Sequence, residues 1–206
     1  RGIPNPYDVF DSFMELYDEF GTVDCPGTNY NFDAPELSNY GCTASTDAFF
    51  SGSAELREED GRVALHCDCR IEAPDGRMIQ GAGNVEIRSE SDYQLIDVQG
   101  SFRSSFAEDW LRELPSAHFQ IWKEREQIRI KGGYTIQDTS IYFDNFELGA
   151  CANGIGSIFI RDPSGLWWEW KLKELCGQEL LFNGVKESKI KWNHESFLQR
   201  IEEMME

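Results

Sequence analysis

From Phe49 to Phe102 the chain alternates apolar and polar residues in runs broken only by short turn signals. Side chains on a strand point alternately to opposite faces, so a period of two marks a half-buried strand. The pattern predicts strands at 53–58, 62–72, 77–88 and 93–103. Asp60-Gly61 and Pro74-Asp75-Gly76 supply turns between the first of these. Turns that short leave no room for a crossover, so successive strands must be antiparallel neighbours. The expected topology is a meander.

The second half continues in the same manner. Strands are expected near 118–123, 127–131, 134–143, 156–161 and 166–173, with Gly132-Gly133 and Asp162-Pro163-Ser164-Gly165 as turn formers. Between the two series, residues 107–114 read as a short helix that buries Trp110, Leu111 and Leu114 and is stopped by Pro115. Near the N-terminus, Tyr7, Phe10, Phe13, Met14, Tyr17 and Phe20 recur at helical spacing. They predict a helix over 6–20, with Asn5 as its cap, Pro6 at its first position and Gly21 as its stop. Residues 21–47 are rich in turn formers and read as a long irregular loop, which a compact domain tolerates when it is stapled or functional. Phe197, Leu198, Ile201 and Met205 predict a last helix at 194–205, capped by Asn193.

The expected fold class is α+β: mainly an antiparallel β-sandwich or open barrel, with an amphipathic helix at each end. No shift in composition divides the chain. Residues 1–206 are therefore read as a single domain, with helix 6–20, stapled loop 21–47, a β-rich core over 49–192 and helix 194–205.

The chain holds 37 acidic and 19 basic residues, for a net charge of -18. Between Arg1 and Arg57 it has no lysine or arginine, and ten carboxylates lie in that interval. Aromatic residues are interleaved with them, so the segment is read as a folded negative surface rather than a solvated tail. Such a surface repels nucleic acid and anionic membranes, which need lysine or arginine for every phosphate they engage. A basic protein is the favoured partner, meeting Asp8, Asp11, Glu15 and Asp18. A carbohydrate is also compatible with this charge.

Six cysteines, Cys25, Cys42, Cys67, Cys69, Cys151 and Cys176, form an even set and predict three disulfides in a secreted protein. Cys25 and Cys42 bracket the turn-rich loop, and Cys151 and Cys176 bracket a second segment. Cys67 and Cys69 then remain, and as positions i and i+2 of one strand they face the same way. Their expected bonds are to different partners, which conflicts with two local staples, so the connectivity stays open.

The candidate chemistry is sparse. His66-Cys67-Asp68-Cys69 contains zinc-type ligands, but alternation splits them between two faces and no second close pair follows. His66, His118 and His194 are the only histidines, and no nucleophile elbow or phosphate-binding loop is present. No metal or cofactor is expected. The tryptophans are more suggestive. On a strand, Trp168 and Trp170 share one face and could stack on a sugar ring, while Trp167 and Glu169 share the other. Asp144 or Glu147 could supply a second carboxylate, as glycoside hydrolysis requires.

Three functions follow as expectations. The first is a secreted, disulfide-stabilised acidic binding protein, effector- or inhibitor-like, that acts through protein–protein interaction rather than catalysis. The second is a glycan-binding or glycan-hydrolysing β-sandwich protein that uses Trp168, Trp170 and Glu169. The third is an intracellular acidic immunity protein against a basic toxin.

Overall fold

The computed structural model describes residues 3–18, 23–24, 29–32, 43–44, 48–106, 112–149, 151, 154–173, 176–182 and 185–186. One helix opens the chain, α1 (Pro6–Asp18), and short strands follow: β1 (Val23–Asp24), β2 (Asn29–Phe32) and β3 (Thr43–Ala44). Then come β4 (Phe49–Glu59), β5 (Arg62–Glu72), β6 (Met78–Ser89), β7 (Gln94–Ser104), β8 (Glu113–Glu124) and β9 (Gln127–Ile136). The series ends with β10 (Thr139–Leu148), β11 (Ile155–Arg161), β12 (Trp167–Leu172), β13 (Gln178–Phe182) and β14 (Val185–Lys186).

Twelve of these strands form one antiparallel sheet in the order β14-β13-β12-β11-β10-β9-β8-β7-β6-β5-β4-β2, and β1 pairs separately with β3. The meander is as the turn signals require. Among the described residues the large sheet is not closed, with β14 and β2 as its edges. The expected helix at 194–205 lies outside the described residues. The loop expected over 21–47 contains β1, β2 and β3, and β2 adds to the sheet edge alongside β4.

Helix α1 begins where its capping chemistry dictates. The Asn5 side-chain oxygen accepts from the backbone N–H of Tyr7 at 2.9 Å and of Asp8 at 3.1 Å. The Asp8 carboxylate reciprocates, accepting from the Asn5 backbone N–H at 3.3 Å and from its amide at 2.7 Å. This reciprocal pair satisfies helix donors that would otherwise have no partner.

The sheet has an inner face, which α1 covers at β8 and β9, and an outer face. One inner row runs across nine pairings: Leu56, Leu65, Val85, Val98, Phe119, Gly132, Phe143, Ile158, Trp170 and Leu180. Burial is deepest at β8 to β11, where Ile121, Phe143 and Ile160 are fully enclosed. Each such side chain withdrawn from water contributes about 1.5–3 kcal/mol. Phe13 of α1 meets Phe102 edge-on, with ring centroids 4.5 Å apart.

Two local expectations are corrected. Gly132-Gly133 is not a turn: β9 runs through it, and the hairpin turns instead at Gln137-Asp138, both with positive φ (44° and 65°). The glycines serve close approach. Gly132 has φ +102°, and a Cβ there would lie 2.3 Å from the His118 carbonyl oxygen. The helix expected over 107–114 ends differently too. Glu113 and Leu114 belong to β8, and residues 107–111 lie outside the described residues. Pro115 sits within β8 where the pairing with β7 shifts register, a position that needs no ladder hydrogen bond.

Candidate functional site

Alternation along β12 decides which tryptophans are available. Trp170 stands between Ile158 and Leu180 on the inner face and is only 6% exposed. Trp168 is on the same face between Ile160 and Phe182, with its ring centroid 5.1 Å from that of Phe182. The expected sugar platform of Trp168 and Trp170 is therefore corrected: these rings pack into and against the core. A strand that carries the apolar boundary of a sheet buries its largest inward rings first.

On the opposite face Trp167 and Phe159 are half-buried and Tyr142 is exposed. Trp167 pairs across from Arg161 and lies 6.4 Å from Phe159, centroid to centroid. Phe159 in turn pairs with Tyr142 and lies 6.5 Å from it. Tyr142 is 42% exposed. The three rings thus form a strip across β10, β11 and β12, tilted by 55° and 39° between successive members. On its other side Tyr142 pairs with Gly133, which offers no side chain to cover the ring.

Glu169 completes this strip. It pairs with Phe159 and Leu181, accepts a hydrogen bond from Ser157 Oγ at 3.1 Å and lies 3.4 Å from Lys171 Nζ. Its two cross-strand neighbours are apolar, so no second carboxylate faces it directly across a strand. Asp144 pairs with Ser157, while Glu147 pairs with Ile155 beyond a register shift. Among the described residues no group of three metal-ligating side chains occurs.

The acidic residues of α1 divide by role. Asp8 is engaged at the helix start, whereas Asp11 and Glu15 are exposed. Asp18 is the last residue of the helix. On the outer face of β4 to β6 many charges are already paired. Arg57 meets Glu55 at 2.6 Å, Arg70 meets Glu72 at 2.6 Å, and Glu86 accepts from both Arg62 and Arg88. Those two guanidinium groups, Arg88 foremost, hold the Glu86 carboxyl below the usual range. His66 is hydrogen-bonded to the Asn84 side chain at 2.7 Å.

The cysteines do not form three bridges among the described residues. Cys151 and Cys176 are bonded, with Cα atoms 5.6 Å apart, and tie the chain after β10 to the turn before β13. Cys67 and Cys69 are free thiols, both half-buried on the inner face of β5. The Cys69 thiol donates to Cys67, which lowers the Cys67 pKa to about 7 and raises that of Cys69. Cys25 and Cys42 lie outside the described residues.

Sequence reasoning missed Tyr142 and Phe159. The signal was there in Ile158-Phe159-Ile160, where a third apolar residue interrupts alternation and must face outward. Only the inter-strand register, however, places it beside Trp167. Comparison with protein-family models, with curated proteins and with solved structures finds no match to this chain.

Proposed function

We propose that this chain is a secreted, disulfide-stabilised binding protein that docks a protein partner on the outer face of β10 to β12. The observation that carries the reading is the contiguous strip of Tyr142, Phe159 and Trp167 on an otherwise polar face. Tyrosine, tryptophan and arginine dominate binding energy at protein interfaces because they desolvate large areas while keeping a polar contact. Arg161 stands opposite Trp167, and the Glu169–Lys171 pair borders the rings. The negative charge of the chain suits a basic partner and acts mainly on the rate of encounter.

Tilted, partly uncovered rings beside a carboxylate and a hydroxyl also favour a second reading, a soluble glycan stacked along the strip. One experiment addresses both. A photo-cross-linker placed at Ser140, which pairs with Arg161 beside the strip, reports protein partners, and a glycan array reports sugars. Both are run with the wild type and with Trp167→Ala combined with Tyr142→Ser. A cross-linked protein lost in the double variant supports the first reading. Array binding lost in the same variant selects the second. Unchanged binding in both assays, with circular dichroism unaltered, removes the strip as the site.

A further inference from the structure

The inner face of β5 carries a second feature, independent of the outer strip. Cys67 pairs across to Ala54 on one side and Gly83 on the other. Cys69 pairs to Gly52 and Gly81. No cross-strand neighbour of either thiol carries more than a methyl group, and Gly83 is followed in the same row by Gly100. The two sulfurs therefore stand side by side over a floor of backbone, half-buried and hydrogen-bonded to each other.

Two residues apart on an extended strand, Cα atoms are about 6.6 Å from one another. That is at the upper limit of what a disulfide spans, and parallel Cβ directions make closure harder still. The bridged pair Cys151–Cys176, at 5.6 Å, shows the spacing that does close. An atom inserted between the sulfurs removes the difficulty. Two metal–sulfur bonds of roughly 2.3 Å hold sulfurs about 4.5 Å apart, within easy reach of parallel side chains. His66 and Asp68 point to the opposite face, and no third ligand joins the thiols among the described residues. A closed tetrahedral zinc site is thus not available. A soft monovalent cation is satisfied by two thiolates.

We propose that Cys67 and Cys69 form a two-thiolate site for copper(I) on the inner face of β5. Binding releases both thiol protons to solvent, forms two copper–sulfur bonds and leaves the metal monovalent, so no oxidant or reductant takes part. The site neither uses nor depends on the aromatic strip.

The test is an anaerobic titration of the non-reduced, folded chain with copper(I) in competition with bicinchoninate. The expected result is one copper(I) withdrawn per chain, with two sulfur scatterers and no nitrogen in the X-ray absorption spectrum. Cys67→Ser and Cys69→Ser, each checked by circular dichroism, should leave the copper with the chelator, because a serine oxygen is a hard ligand. Failure to withdraw copper from the chelator overturns the proposal. So does equal uptake by the double serine variant. Peptide mapping that finds Cys67 bonded to Cys69 in the native chain would also overturn it.

Discussion

The Tyr134 hydroxyl donates its hydrogen to the Pro4 carbonyl oxygen, joining residues 130 positions apart and fixing the entry of α1 to the inner face of β9. Burial first, and the nearby Asp8 charge second, push the Tyr134 pKa well above the ordinary tyrosine value. In the unfolded chain this phenol ionises near pH ~10. Its contribution to stability is therefore complete below that pH and is lost as pH rises towards the raised folded value. Tyr134→Phe should cost about 1–2 kcal/mol at pH 7, since it leaves the Pro4 carbonyl unpaired. The gap between variant and wild type should narrow above pH ~10, as followed by urea unfolding across a pH series.

The acids of α1 should separate into a structural and an electrostatic class. Asp8→Ala removes the reciprocal acceptor of the helix cap and should lower stability by about 1 kcal/mol. Asp11→Asn with Glu15→Gln should leave stability within about 0.5 kcal/mol of the wild type. It should, however, slow association with a basic partner at low salt, and the difference should vanish at high salt. Thermal unfolding and stopped-flow association read the two effects independently.

Gly132→Ala forces a side chain into a backbone at φ +102° with a carbonyl oxygen 2.3 Å away. Both faults act together, and the loss should reach at least about 3 kcal/mol. Gly76→Ala is the control. It also has positive φ, +86°, but nothing lies within 4 Å of the added carbon. Its cost should stay near 1 kcal/mol. Equal losses at the two positions in chemical denaturation would show that close approach at Gly132 is not the constraint.

The Cys151–Cys176 bridge closes a sequence separation of 25 residues. Replacing both cysteines by alanine should destabilise the chain by about 3 kcal/mol, mainly by freeing the unfolded state. The measurement is the denaturation midpoint under non-reducing conditions. Cys67 and Cys69 should meanwhile react with an alkylating reagent without prior reduction.

The sheet was legible in the sequence where turns and alternation agreed. The strand expected at 62–72 is β5 as drawn, and those at 77–88 and 93–103 shift by one residue to become β6 and β7. It was illegible where one residue type serves two purposes. Gly132-Gly133 has the composition of a turn, yet its role depends on the carbonyls of His118 and Ile141, supplied by other strands. β13 was missed because Gln178–Phe182 is short and its consecutive apolar residues Leu180, Leu181 and Phe182 break the alternation. The face assignments along Trp167–Trp170 followed from alternation, but which face is buried depended on Leu180 and Phe182 lying across them. The free state of Cys67 and Cys69 was hidden for a similar reason: an even count says nothing of which thiols stand over glycines.

In the large sheet, every strand from β4 to β14 is bonded to the strand before or after it in the chain. Each pairing there consequently closes no loop longer than a single hairpin, which keeps the entropy of closure small. Hairpins can add one after another without waiting for distant segments to meet. Helix α1 is the exception, because its seat on β8 and β9 exists only after more than a hundred residues have been made. During synthesis helix α1 thus waits for strands that follow it at long range. Its apolar stripe stays in need of cover until the middle of the sheet emerges.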